Sequence, residues 1–406
     1  MSSDNARDVR MLILLRGMRS FGYGFINTSL GFYLSSLGYN EVAIGVLITA
    51  AGFFSAFLII ISGVLSDRLG SRKMFLFISS ALMALLGFIY SSFDSFPFLF
   101  VGALLGGAGS AGGGGPGGGP FGPAQQALLA DKVEDRNRHR IFSLNAMTGT
   151  ILFSFGALAA GLPELLSRYG IHSLFTYRAL FLLFGILGLV SALISLLLHE
   201  GKFVRVERKK GNSSRLIGKF TTTALLNGFG MGLIPLSLIT LWFSTYFGAK
   251  ELPISIMVWA SNIASALSYL FAPSMASKLG TVKMIVVTRL IGVAMLASLP
   301  LLPSFLIAAP VYVIRGAFVS IGMPIRQSYM MGVVDRESRS TAVGISSGVG
   351  WGIPYAVSPA ISGYVMQEVS SSLPIFASAS FQVANSIVYW YFFHNLPPPE
   401  EERLHG

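Results

Sequence analysis

The sequence predicts an all-α integral membrane protein of twelve transmembrane helices, arranged as two pseudo-symmetric six-helix bundles. Three observations carry that reading: a composition too apolar for water, twelve apolar runs of spanning length, and a second half that repeats the first. Of 406 residues, 53% are hydrophobic and only 12% are charged, where an ordinary soluble domain carries about 25% charged residues. The chain lacks the polar surface that a water-soluble enzyme of this size needs, and no enzymatic activity is expected.

A helix needs on the order of 20 apolar residues to cross about 30 Å of hydrocarbon. Between charged or Gly/Pro breaks, the first half offers such runs at 10–37, 41–66, 74–94, 96–130, 138–162 and 174–199. The second half offers them at 216–248, 252–277, 282–301, 304–331, 338–367 and 372–395. The first run follows the polar MSSDNARDVR and is interrupted by Arg16 and Arg19, so it reads as a retained helix and not a cleaved signal. The longest hydrophilic segment, HEGKFVRVERKKGNSSRLIGK at 199–219, separates the halves. The expected organisation is an N-terminal bundle (1–198), a cytoplasmic linker (199–215), a C-terminal bundle (216–398) and a cytoplasmic tail (399–406).

The fourth run contains GGAGSAGGGGPGGGPFGP, residues 106–123. Each Gly costs about 1 kcal/mol in a helix relative to Ala. Phe96 to Pro123 covers 27 positions where Phe305 to Pro324 covers 19, so this helix carries extra residues. A broken or bulged fourth helix is expected, with its freed backbone groups facing protein or a water-filled cavity; close packing of small residues is the alternative. No Lys or Ser/Thr follows in the register of a phosphate-binding loop.

The net charge of +11 would suggest nucleic acid in a soluble protein. With the N-terminus inside, twenty-one Lys and Arg fall on inner loops and ends, and only Arg168, Arg178 and Lys250 fall outside. Short cytoplasmic loops collect cations, so both termini are expected in the cytoplasm of a multi-pass cell-membrane protein. Basic residues spread over every inner loop do not form a nucleic-acid surface, and no nucleic acid is expected as a partner. Cysteine is absent, and the five histidines form no HExxH pair, so neither a metal nor a cofactor is expected.

Matching pieces recur between the halves at a nearly constant offset. RSFGYGFI from Arg19 returns as NGFGMGLI from Asn227 (offset 208), and GVLSDRLGSRK from Gly63 returns as PSMASKLGTVK from Pro273 (offset 210). PAQQALLADKVEDRNR from Pro123 returns as PIRQSYMMGVVDRESR from Pro324 (offset 201). Copies in the same orientation with six crossings between them are related by an axis along the membrane normal. GVLSDRLGSRK resembles the signature of the major facilitator superfamily between helices 2 and 3, through Gly63, Asp67, Arg68, Gly70, Arg72 and Lys73. The second copy is degenerate: Pro273 and Ser277 replace the first Gly and the acid, while Lys278, Gly280 and Lys283 remain. The resemblance implies a secondary transporter working by alternating access. It also implies a gating role for Gly63, Asp67, Arg68, Gly70 and Arg72, since in the family this cluster holds the halves together in the outward-facing state. The residues themselves allow close approach or positive φ at the glycines and pairing of Asp67 with a neighbouring Arg; a plain positive-inside anchor remains the alternative.

A charge at the bilayer centre costs at least ~2.5 kcal/mol, so each buried ion needs a reason. Arg19 lies roughly 13 Å into the first helix, and Arg16, Arg19, Tyr23 and Asn27 follow at helical spacing along one face. Arg315 sits near the middle of the tenth helix with Tyr312 one turn before it. Arg326 lies nearer the inner end of that helix, and Arg289 is close enough to Lys283 to snorkel to the surface. All 18 carboxylates fall in loops, tails or helix ends. Guanidinium suits carboxylate and phosphate, so the expected substrate is a small organic solute, anionic or amphipathic, anchored by Arg19 and Arg315. The alternative is that these arginines donate to backbone carbonyls and stiffen the bundle. Asn227, Trp259, Asn262, Trp351 and Tyr355, with Tyr269, Gln125 and Gln126, are secondary candidates for the cavity wall, or else interhelical packing.

Nothing in the chain would hydrolyse ATP. The expected partners are a small-molecule substrate with a coupling proton or counter-anion, and membrane lipids, with the chain acting as a monomer. A rival reading is proton-coupled multidrug efflux, for which Gly149, Gly156 and Gly161 give only a loose pattern without a Gly-Pro pair. A rival from another class is a non-transporting receptor or lipid scramblase on the same bundle.

Overall fold

The computed structural model describes residues 3–39, 41–106, 121–167, 169–200, 212–249 and 251–396, and among these there is helix and no strand. The first half comprises α1 (Ser3–Ser36), α2 (Glu41–Leu69), α3 (Arg72–Ser92), α4 (Phe96–Gly106), α5 (Gly122–Lys132), α6 (Arg138–Ala159), the short α7 (Leu162–Ser167) and α8 (Ser173–Leu197). The second comprises α9 (Asn212–Leu233), α10 (Leu236–Phe247), α11 (Glu251–Leu279), α12 (Thr281–Ser298), α13 (Phe305–Val333), α14 (Arg339–Ile345), α15 (Ile353–Glu368) and α16 (Leu373–Phe393). Each of the twelve expected spans therefore carries helix. Among the described residues seven helices are individually long and apolar enough to cross a bilayer, and α9 with α10 makes an eighth. The remaining four spans are α1, interrupted by its arginines, the pairs α4–α5 and α14–α15, and α16.

Two interruptions were not expected from the sequence. The segments Ser213–Leu233 and Leu238–Phe247 are bent by 42° where Pro235, which has no amide proton to donate, caps α10. Between α14 and α15 the helix widens to a π-turn over Ser346–Gly352, a local rearrangement frequent at functional sites. The expected break in the fourth helix falls on 107–120, outside the described residues.

The repeat is visible in backbone conformation and in packing. Gly70 and Gly280 occupy matching positions at the ends of α2 and α11, and both have positive φ (66° and 83°), the left-handed region that glycine enters without a Cβ penalty. In the first half α3 packs on α8 and α4, α1 on α8, and α2 on α4; in the second, α12 packs on α16 and α13, α9 on α16, and α11 on α13. These are the same pairs in the same order.

By contacts the chain forms two compact units. Unit 1 holds Met1–Val133, Thr148–Lys209 and Arg336–Gly348; unit 2 holds Glu134–Met147, Lys210–Asp335 and Val349–Gly406. Each unit thus includes a short segment from the other half of the sequence. The boundaries after Met147 and after Gly348 lie 201 residues apart, the offset of the Pro123/Pro324 repeat. In unit 1, α14 packs on α2 and α5.

The interior of unit 1 is aromatic: Tyr33, Tyr90, Phe181 and Phe184 are buried together with Tyr23 and Phe25. Unit 2 has Trp242, Phe243 and Tyr312 in the equivalent role. Phe175, Leu306 and Ile387 are 69%, 82% and 63% exposed, an apolar exterior suited to hydrocarbon and costly in water.

Candidate functional site

Unit 1 encloses Arg16 and Arg19 of the first helix. Arg16 and Arg19 are 3% and 0% exposed and Tyr23 is 1% exposed, whereas Asn27, on the same sequence stripe, is exposed. Arg19 donates through Nη1 to the Ser79 carbonyl at 3.2 Å. Its guanidinium carbon lies 4.4 Å from the centre of the Phe121 ring and 5.6 Å from that of Tyr23, cation–π distances that partly replace lost water. Arg16 packs against Gly149, where an added Cβ would come within 3.0 Å of Nε. Arg19 is therefore tied to the α3 backbone and roofed by α5's N-cap residue.

Arg315 in unit 2 is placed differently. It is 6% exposed, and its Nε and Nη2 find no hydrogen-bond partner among the described residues. Its nearest compensation is the Tyr312 ring, 5.7 Å away. Tyr312 is itself held edge-to-face on Phe243 at 5.5 Å. A buried cation whose nitrogens lack acceptors is destabilising by several kcal/mol, and among the described residues Nε and Nη2 of Arg315 lack them.

The secondary candidates divide. Asn227 is half-buried and accepts from Arg289 Nη1. Arg289 is thereby turned inward and does not snorkel. Trp351, within the π-turn, and Tyr355, just after it, stack at 4.3 Å between ring centres. Trp259 and Asn262 are exposed while Tyr269, about 20° from Asn262 around the helix, is buried. Gln125 and Gln126 are buried.

The signature loop is part of a charged cluster in unit 1. Asp67 is 3% exposed; it accepts the Thr341 backbone N–H at 2.6 Å and lies 3.4 Å from Arg72 Nη2. Gly63 faces α14 so closely that an added Cβ would lie 2.5 Å from the Ser340 carbonyl oxygen. Arg72 also donates to Asp131 and to the Arg336 carbonyl. Asp131 receives Arg336 Nε at 3.1 Å and Arg339 Nη1 at 2.8 Å. The amides of Arg72 and Lys73 donate to the Glu200 carboxylate at 2.6 and 3.2 Å, capping the N-terminus of α3. Arg68 is exposed.

Asp131, Arg336, Arg339 and Glu200 escaped the sequence reading. Asp131 faces Gly332 in the repeat, so comparing halves gave no signal for it, and the two arginines read only as loop cations. At the matching place in unit 2 the cluster is smaller, with Arg138 paired to Asp135. Ser277 stands in the Asp67 position, and His139 bridges Ser328 Oγ at 2.7 Å and Thr281 Oγ1 at 3.1 Å.

These features define a polytopic helical membrane protein of two repeated six-helix bundles. The chain belongs to the Major Facilitator Superfamily, whose family model matches residues 12–218 and 220–406, a family of transporters. A curated relative, described as an uncharacterized membrane protein YJR124C of Saccharomyces cerevisiae, is 28% identical over 203 residues. That match spans 48% of this chain and 43% of the yeast protein, so the chain covers under half the length of that relative. Among solved structures, the human organic anion transporter MFSD10 aligns at TM-score 0.75 and 14% identity, covering 96% of this chain and 100% of that one. A bacterial homologue of the iron transporter ferroportin, in its outward-facing state, aligns at TM-score 0.75 and 13% identity, covering 96% and 100%. The proton:xylose symporter XylE aligns at 0.72 and 14%, covering 98% and 99%. At these identities the structures share a fold with this chain.

Proposed function

We propose that the protein is a secondary transporter that moves a small anionic or amphipathic organic solute by alternating access, with both termini in the cytoplasm of a cell membrane. The observation that carries the substrate class is Arg315: a guanidinium buried inside a helix bundle, with two nitrogens that no described residue accepts from. A carboxylate or phosphate on the solute supplies the missing acceptor in bidentate form. Tyr312 holds the guanidinium from one side and leaves its edge for the solute. The stacked pair Trp351–Tyr355 gives an apolar wall for the remainder of an amphipathic molecule. Arg19 takes the lesser part: tied to Ser79 and Phe121, it sets a positive field and keeps α1 in register. The fold shared with an organic anion transporter is compatible with this reading.

The cluster of Asp67, Arg72, Asp131, Arg336 and Arg339 is proposed to hold the start of the eleventh span on the second and fourth, and its release to accompany the change of access. Among the described residues no carboxylate pairs with Arg19, Arg289, Arg315 or Arg326, so the driving force is proposed to be exchange for a counter-anion, or a proton carried by the solute. Counterflow in proteoliposomes tests both parts. Saturable exchange of organic anions that is lost in Arg315→Gln supports the reading. Cation exchange undiminished by that substitution, or binding without exchange, overturns it in favour of drug efflux or of a receptor.

A further inference from the structure

Unit 2 contains a second pair of cations, half-buried within the helices, that the proposed solute position does not use. Arg289 on α12 and Arg326 on α13 line one cleft with Ile285, Asn385, Ser386 and Tyr389. Three helices bring polar groups to the same level. Arg289 lies eight residues from the start of α12, Arg326 seven from the end of α13 and Asn385 eight from the end of α16, each about 10–12 Å along its axis.

The acceptors these arginines have are neutral. Arg289 Nη1 donates to Asn227 Oδ1 and, with the Asn385 amide oriented to donate to the Thr223 carbonyl, to the Asn385 oxygen at 2.7 Å. Arg326 Nη2 reaches the Phe220 carbonyl and Thr223 Oγ1, both at a long 3.4 Å. Among the described residues no Asp or Glu pairs with either, and the Tyr389 hydroxyl is buried without a partner. Two guanidinium groups and a spare hydroxyl donor converge, and a like-charge pair in low dielectric repels unless an anion intervenes. The innermost part of the cleft has room for about one water-sized particle.

We infer that the cleft of Arg289, Arg326 and Tyr389 binds a single small inorganic anion of the size of chloride. The ion accepts from both guanidinium groups and from the tyrosine hydroxyl, offsetting the repulsion between α12 and α13. Arg315 lies eleven residues before Arg326 on α13, about three turns and roughly 16 Å away, so the two positions are distinct stations on one helix face. This site stands whether or not Arg315 holds an organic solute.

The test uses the purified full chain, titrated with sodium chloride against sodium gluconate at constant ionic strength and read by thermal unfolding. The expected result is a saturable rise in Tm with chloride and none with gluconate. Arg289→Gln and Arg326→Gln are expected to weaken half-saturation by about tenfold or more, and Tyr389→Phe by about threefold, through loss of charge-assisted and neutral donors respectively. Arg315→Gln leaves the chloride response in place while abolishing organic-anion exchange. If either arginine variant fails to fold, Tyr389→Phe decides, since an unchanged half-saturation in that variant overturns the site. Equal responses to chloride and gluconate also overturn it, as does a chloride response lost in Arg315→Gln but kept in Arg289→Gln. A bromide anomalous peak between Arg289 and Arg326 would locate the ion directly.

Discussion

Asp67 accepts the backbone N–H of Thr341 at 2.6 Å, so a carboxylate at the end of α2 rests on the opening turn of α14. The charge meets the partial positive charge of a helix start, and Arg72 at 3.4 Å steadies it from behind. Asp67→Ala removes both interactions and is expected to cost about 1–3 kcal/mol of stability. Asp67→Asn keeps an acceptor for Thr341 and loses only the charge, so its loss is smaller. Thermal unfolding of the two variants, with counterflow beside it, checks this; equal losses would show that the Thr341 contact contributes nothing.

Gly63 is the steric counterpart of Asp67. Its Cβ, if present, would sit 2.5 Å from the Ser340 oxygen and 2.8 Å from the Gly344 Cα, both backbone atoms that cannot rotate away. Gly63→Ala is expected to destabilise unit 1 by about 1–3 kcal/mol through overpacking. A Tm equal to that of the unsubstituted protein would mean that α14 is free to move off α2 at no cost.

Asp131 and Arg336 should differ sharply although they touch. Asp131 is 7% exposed and receives Arg72, Arg336 and Arg339. Asp131→Ala removes the carboxylate shared by the buried Arg72 and the mostly buried Arg339 and should cost about 3–5 kcal/mol. The Arg336 side chain is 64% exposed, and Arg336→Ala should change stability by no more than about 0.5 kcal/mol. Denaturant or thermal melts of the two variants give the contrast, and comparable losses would contradict the burial argument.

Arg315 is expected to trade stability against transport. Arg315→Leu removes a buried cation without an acceptor, so Tm should hold or rise by the equivalent of about 1–2 kcal/mol, while exchange of organic anions is lost. A fall in Tm with exchange intact would show that Arg315 is a structural brace. The same substitution at Arg19, which donates to the Ser79 carbonyl, is expected to lower Tm.

The architecture was legible because its signals are local. Hydropathy over a helix length, the offset between repeats and the GVLSDRLGSRK loop can each be read within short windows. The candidate site was legible only in part. The burial cost of an intramembrane arginine marked Arg19 and Arg315, but the sequence could not say which was satisfied. That depends on the Ser79 carbonyl in one case, and on the lack of any acceptor near Nε and Nη2 in the other. Arg289 read as a snorkelling residue because Lys283 is near it in sequence, yet Asn227, 62 positions away, turns it inward.

By itself the sequence determined the membrane class, the spans and the twofold repeat, since lipid fixes helix length and hydropathy residue by residue. The tertiary structure alone decided that Arg336–Gly348 belongs with the first half's helices, that Asp131 gathers three arginines, and that Arg289 and Arg326 share one cleft. Those outcomes join residues as far as 264 to 274 positions apart, as in Arg72 with Arg336 and Asp67 with Thr341. No window of sequence contains both partners, and only helix packing sets the distance between their charges.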